Sequence, residues 1–176
     1  MKLYFRDYNA ALIEELRTRF DAQKEDVEFS CDDIFLGPPV DAIVSPANSF
    51  GYMDGGIDRV YCTKLGWQVQ DNVQAEIAKR PFKELLIGQA IVAPTGSDLV
   101  KWIIAAPTMR LPGVTQQYCV YLAMRAAMYE ALTFKAVACP GLGTLTGRVH
   151  PTHAAEAMWH GYMDAKVARF LDGQKA

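Results

Sequence analysis

The segment Asp41-Ala-Ile-Val-Ser-Pro-Ala-Asn48-Ser-Phe-Gly-Tyr-Met-Asp54-Gly55-Gly56-Ile57-Asp58 constrains the fold more than any other part of the chain. It starts as an apolar run over 42–44, which reads as a buried strand. It then turns through glycines into a helical pattern. A strand, a glycine loop and a helix start, in that order, aim backbone N–H groups at one point, which suits an anionic ligand. Asn48, Asp54 and Asp58 lie in the same stretch, so side-chain chemistry can sit beside the anion.

The same alternation runs through the rest of the chain. Residues 2–6 are expected to form a strand. Asn9 is placed to cap a helix to about residue 20, with Leu12, Ile13, Leu16 and Phe20 on one face. Strands are expected at 27–31 and 42–45, with turns at Asp32-Asp33 and Gly37-Pro-Pro between them. A helix over 57–65 closes at Gly66, and a second over 67–79 stops at Pro81. Apolar strands follow at 90–93 and 102–106. Thr115 is expected to cap a helix to 132 that buries Tyr118, Leu122, Met124 and Met128. A strand at 136–139 enters a second glycine loop, and a final helix spans 152–171 with Gly173 as its stop. This pattern predicts an α/β fold, a three-layer α/β/α sandwich around a mixed, mostly parallel sheet. In such sheets ligands bind beyond the carboxyl ends of the strands. Both glycine loops follow strands, so one shared site is expected.

Composition narrows the function classes. With 176 residues, 51% apolar and 22% charged, the chain reads as one globular domain over 1–176. A net charge of -2 offers no electrostatic attraction to nucleic acid or to a membrane surface, and neither is expected as a partner. No apolar run approaches the ~20 residues that span a bilayer. Charge at Arg6 and Asp7 makes the N-terminus read as a strand and not as a leader. Cys31, Cys62, Cys119 and Cys139 are far apart and form no Cys-x-x-Cys pair. They are read as free thiols in a reducing cytoplasm, with Cys139 in a buried strand. His150-x-x-His153 and His160 lack the remaining ligands of a zinc site and are read as capping or surface residues, so no metal or cofactor is expected. Trp67, Trp102 and Trp159 are read as core or partly buried aromatics.

The second loop, Gly141-Leu-Gly143-Thr144-Leu-Thr146-Gly147, matches no standard nucleotide fingerprint. The third glycine of the Rossmann spacing arrives one residue late, and no Gly-Lys-Ser/Thr follows. Its position after an apolar strand, like that of the first loop, still favours a phosphate loop.

Five pieces together resemble the macro domains that bind ADP-ribose: Cys31-Asp-Asp33-Ile34, Asp41-Ala-Ile-Val-Ser-Pro-Ala-Asn48-Ser, Gly55-Gly-Ile-Asp58, Ala105-Ala-Pro107 and Pro140-Gly-Leu-Gly-Thr-Leu-Thr-Gly147. They occur in the family's order and span nearly the whole chain, which looks like a divergent branch. The resemblance implies that Asp33 accepts from the adenine amino group and that the Ile34 backbone contacts the ring. It implies that Asn48 bonds the distal ribose hydroxyls. Gly55, Gly56 and Ile57 would offer N–H groups to the diphosphate, with Gly141, Gly143, Thr144, Leu145, Thr146 and Gly147 closing over it. Asp58 would position the water that attacks the anomeric carbon.

Each residue also has a plainer reading. Asp32-Asp33 can satisfy a turn, Asn48 can close an Asx turn, and Asp58 in a first helical turn favours the helix dipole. Asp54, where the family more often has a third glycine, is a ligand contact, a catalytic helper or a loop staple. Ser45 replaces the first Asn of the usual Asn-Ala-Ala-Asn run, and no aromatic residue stands near Leu145. Arg110 is an anion contact or a surface charge. The expected function is hydrolysis of ADP-ribose from proteins or from esters such as O-acetyl-ADP-ribose, with Asp58 and Asn48 catalytic. The alternative is a reader that binds ADP-ribose without turnover.

Overall fold

The computed structural model describes residues 1–21 and 25–174. Its strands are β1 (Lys2–Arg6), β2 (Val27–Ser30), β3 (Ala42–Ser45), β4 (Ile91–Pro94), β5 (Trp102–Ala105) and β6 (Ala136–Cys139). They lie in the order β2-β1-β6-β3-β5-β4. β4 runs antiparallel to β5, and every other neighbouring pair is parallel. The helices are α1 (Ala10–Asp21), α2 (Gly56–Leu65), α3 (Gln68–Ala78), α4 (Gln117–Ala131) and α5 (Pro151–Gly173). This is the expected three-layer α/β/α sandwich on a mixed, mostly parallel sheet.

The period of two in each strand divides the core. Leu3, Phe5, Val44, Ile104 and Val137 face one layer, where α1, α4 and α5 pack. Ile43, Ala93, Ile103 and Ala138 face the other, against α2 and α3. All four residues of β3 are buried, because helices cover both faces of the strand. In the first layer Phe20 packs edge-on to Phe5 and Trp159, with ring centroids 5.0 and 4.8 Å apart. At Gly161 a Cβ would lie 2.7 Å from the Tyr121 carbonyl oxygen, so this glycine lets α5 lie close against α4.

Local signals explain two of the helix ends. The Asn9 Oδ1 accepts the Leu12 N–H at 3.2 Å, and Leu12, Ile13, Leu16 and Phe20 are the buried face of α1. Gly66, at φ 98°, closes α2 by donating its N–H to the Cys62 carbonyl. Thr115 does not cap α4. Its hydroxyl donates to the Thr108 carbonyl at 2.5 Å, and the helix starts after Gln116 with no side-chain cap. The buried face of α4 follows Val120, Met124, Ala127 and Ala131. That phase leaves Tyr118 65% exposed, stacked on Tyr121, and Leu122 only half-buried. α5 ends at Gly173, the expected stop, with Gln174 as its C-cap. Trp67 is more exposed than expected, at 53%.

Candidate functional site

The carboxyl ends of the adjacent strands β1, β6 and β3 feed the walls of one cleft of about 780 Å³. One wall is the start of α2. Gly55 is the N-cap, and Gly56 has φ 55°, a conformation that favours glycine. The first intrahelical bond runs from the Arg59 N–H to the Gly55 carbonyl, so the N–H groups of Gly56, Ile57 and Asp58 have no helical acceptor.

The facing wall is the loop after β6. It is held by bonds from the Val149 N–H to the Gly143 carbonyl, from Arg148 to Leu145, and from Thr115 to Gly147, each 3.0–3.1 Å long. The N–H groups of Gly143, Thr144, Leu145 and Thr146 take no acceptor among the described residues. The two walls meet where a Cβ on Gly56 would stand 4.0 Å from the Thr146 Oγ1. Asp7, just past β1, ties the second wall to the sheet. Its Oδ2 accepts the Gly141 N–H at 2.8 Å, and its Oδ1 accepts the Asn9 N–H at 2.8 Å. Two facing sets of free N–H groups are the arrangement that suits an anionic ligand.

Asp58 lies at the base of the first wall, 6% exposed. The Ser45 hydroxyl, at the end of β3, donates to its Oδ1 at 2.6 Å. Burial pushes the carboxyl up to about 7, against the opposing effect of that hydrogen bond. The same dry surroundings push the neighbouring Cys62 thiol up to about 11 and raise the Tyr61 phenol, whose O–H donates to the Val44 carbonyl. A carboxyl poised near neutral pH beside free N–H groups is equipped for proton transfer.

Asn48 staples its own loop. Its Oδ1 accepts the N–H groups of Phe50 and Tyr52 at 3.1 and 3.2 Å, and its Nδ2 donates to the Tyr52 carbonyl at 2.7 Å. One amide hydrogen remains for a ligand. Asp54 is exposed on the rim. Elsewhere in the cleft lining, Asp33 Oδ1 accepts the Phe35 N–H at 2.9 Å. The turn reading of Asp33 therefore holds for one oxygen only.

Every residue named from the sequence as binding or catalytic borders this cleft, from Asp33 and Ile34 through 54–58 to the 141–147 loop. Arg110 does not border it. Its guanidinium forms a two-point pair with Glu84 at 2.7 and 3.2 Å and covers the Phe50 ring. Among the described residues no group of three His, Cys, Asp or Glu side chains is placed to hold a metal ion. No helix there is long and apolar enough to cross a membrane. Sequence reasoning missed Arg6, Asp7, Tyr52 and Thr108 as lining residues, and Ser45 as the partner of Asp58. The rule that sites lie at strand carboxyl ends points at Arg6 and Asp7, which end and follow β1.

The family model described as Macro domain matches residues 44–158. This range takes in the end of β3, both glycine loops and the Ser45–Asp58 pair. The chain belongs to the Macro domain family. An uncharacterized protein of Aquifex aeolicus is 39% identical over 121 residues, covering 67% of this chain and 70% of that relative. Among solved structures, this macro domain resembles the macrodomain of Mycobacterium tuberculosis DarG, with a TM-score of 0.56 and 21% identity over 81% of this chain and 88% of that one. It also resembles the Oceanobacillus iheyensis macrodomain with ADP, with a TM-score of 0.55 and 14% identity over 82% of this chain and 90% of that one. At these identities the structural likeness establishes the fold.

Proposed function

We propose that this macro domain, spanning 1–176 as one domain, binds ADP-ribose in the cleft and releases it by hydrolysis from proteins or from ADP-ribose esters such as O-acetyl-ADP-ribose. The observation that carries the reading is the buried Ser45–Asp58 pair, bonded at 2.6 Å beside two facing rows of free N–H groups. A family neighbour solved with ADP supports the class of ligand.

In this reading the N–H groups of Gly55–Ile57 and Gly143–Thr146 hold the diphosphate. Asp33 and Ile34 meet the adenine, and Asn48 turns its remaining amide hydrogen to the distal ribose. Asp58 takes a proton from water as the water oxygen bonds to the anomeric carbon; the bond from that carbon to the acyl oxygen breaks through an oxocarbenium-like transition state, and the substrate's carboxylate leaves with the electron pair. Most of the rate gain comes from orientation and electrostatics. Asp58 acts as a base only when ionised, so turnover rises with pH through about 7.

The second reading is a reader that binds without turnover. Asn48 is already engaged by its own loop, and burial disfavours the ionised form of Asp58, which both fit a site that only holds. Calorimetry with ADP-ribose tests binding, and no heat at millimolar ligand ends both readings. Hydrolysis assays on O-acetyl-ADP-ribose and on proteins modified at Asp or Glu then separate them. Turnover by Asp58→Ala at the wild-type rate removes Asp58 from the mechanism.

A further inference from the structure

Arg6 is the last residue of β1 and is 3% exposed, so a guanidinium lies inside the fold beside the cleft. Among the described residues it makes no ion pair with a carboxylate. Its partners are backbone carbonyls. Nη1 donates to the Ile34 carbonyl at 3.0 Å and Nη2 to the Pro38 carbonyl at 2.8 Å. The guanidinium carbon stands 4.8 Å from the centre of the Tyr4 ring, and desolvation holds the group below the usual arginine range. A buried cation is costly unless its donors are spent well. Here they are spent on the segment between β2 and β3.

That segment has few other polar anchors. Asp32, Leu36, Gly37, Pro38 and Pro39 are exposed. Among the described residues, the hydrogen bonds tying 32–39 to the rest of the fold come from Arg6. Gly37, at φ 105°, lets the chain wrap the guanidinium, and a Cβ there would lie 3.2 Å from Nη2.

The Ile34–Phe35 peptide is held at both ends. Its carbonyl accepts from Arg6, and its N–H donates to Asp33 Oδ1. A continuous chain of hydrogen bonds therefore runs from the guanidinium, through one peptide group, to the carboxylate. Such a chain is polarised along its length, strengthening each link. It fixes one oxygen of Asp33 and leaves the other as an acceptor. It also leaves the Ile34 N–H without an acceptor among the described residues.

We propose that Arg6 is a positioning residue that sets base selectivity: by orienting the Ile34–Phe35 peptide it presents the free oxygen of Asp33 to a base carrying an amino donor and rejects a base carrying a carbonyl there. The inference rests on the ADP-ribose reading of the cleft. Arg6 touches no ligand in this account. It acts through Asp33, and its effect falls on base recognition.

Calorimetry on the full chain tests this with three ligands: ADP-ribose, its inosine counterpart with a carbonyl in place of the amino group, and ribose 5-phosphate, which has no base. Wild type should prefer ADP-ribose over the inosine ligand by about tenfold or more, the range of a hydrogen bond to a charged group. Arg6→Lys keeps the charge but cannot span both carbonyls. It should bring that ratio close to one while leaving ribose 5-phosphate affinity unchanged, a pattern that general loosening of the fold does not produce. Gly37→Ala disturbs the same contact from the exposed side and should lower the ratio in the same direction, which keeps the test alive if Arg6→Lys does not fold. A ratio unchanged in the folded variants, or an equal loss for all three ligands, overturns the role of Arg6. Wild type that binds ADP-ribose with no preference over the inosine ligand overturns the inference and leaves the diphosphate reading standing. Wild type that binds none of the three overturns both.

Discussion

In the loop after β6, a Cβ at Gly147 would lie 2.5 Å from the Gly143 carbonyl oxygen, whereas a Cβ at Gly55 in the loop before α2 would meet nothing within 4 Å. The other two glycines of the second loop are crowded as well. A Cβ at Gly141 would reach 2.3 Å from Leu12, and one at Gly143 2.6 Å from Val120. The second loop needs its glycines in order to fold, because the chain packs against itself and against α1 and α4. The first loop has space at Gly55, and that space opens into the cleft. Two glycine-rich stretches that look alike in the sequence thus serve different ends. One builds a wall, and the other keeps a wall clear.

The largest expected effect is that of Asp58→Asn, which tests whether the first wall carries a stability cost for its chemistry. The folded carboxyl titrates near 7, above its ordinary value of 3.8, so between these pH values the folded chain binds more protons than the unfolded one. Wild-type stability should therefore be greatest at low pH with respect to this group, fall as pH rises from about 4 to 7, and level off above. The amide can still accept the Ser45 hydroxyl but does not ionise. The variant should lose this slope and exceed wild type by roughly 4 kcal/mol at pH 8, while losing turnover. Parallel pH profiles for the two proteins would refute the assignment.

Next in size is Gly147→Ala, the sharpest way to break the contrast between the loops. The added methyl meets a backbone oxygen that cannot rotate away, so urea unfolding should show a loss of about 3 kcal/mol, the upper end of the usual overpacking cost. A loss below about 1 kcal/mol would mean that the second loop is slack and the contrast false.

Gly55→Ala has the smallest expected effect on the fold and a selective one on binding. Gly55 has φ -137° and ψ 162°, which alanine adopts freely, so the urea midpoint should not move. ADP-ribose affinity should fall about tenfold as the methyl enters the space of the diphosphate. Unchanged affinity would show that the ligand does not approach this wall.

Much of the frame was readable from residue types, because it depends on local rules. Asn9 caps α1 and Gly66 ends α2 through bonds within their own turns. The apolar run at 42–45 reads as buried because only a covered strand tolerates it. Thr115 misled because its hydroxyl answers to Thr108, a partner the fold supplies from outside the helix. The site divides in the same way. The glycine loops announce themselves by composition. The Ser45–Asp58 bond joins residues 13 apart, and the Arg6–Ile34 bond joins residues 28 apart. Neither has a periodic signature, and a serine at a strand end carries no mark of the acid it meets. Arg6 entered the sequence reading only as a charge that argues against a leader, whereas the segment at 32–39 folds over it.

The place of β6 in the sheet sets the order in which this protein can assemble. It is the last strand in the chain, yet it sits between β1 and β3, pairing Phe5 with Cys139 on one side and Ile43 with Ala138 on the other. Until it arrives, β2-β1 and β3-β5-β4 are two separate ribbons, and the bond from Gly141 back to Asp7 must span 134 residues. Inserting this wedge joins the ribbons and delivers the second wall in the same step. Such late, long-range pairing slows folding and leaves strand edges open during synthesis. It also means that a chain without β6 in place lacks the second wall of the cleft. A ligand held there is therefore linked to the stability of the whole sheet and not to a local flap, and should raise the global unfolding temperature as it binds.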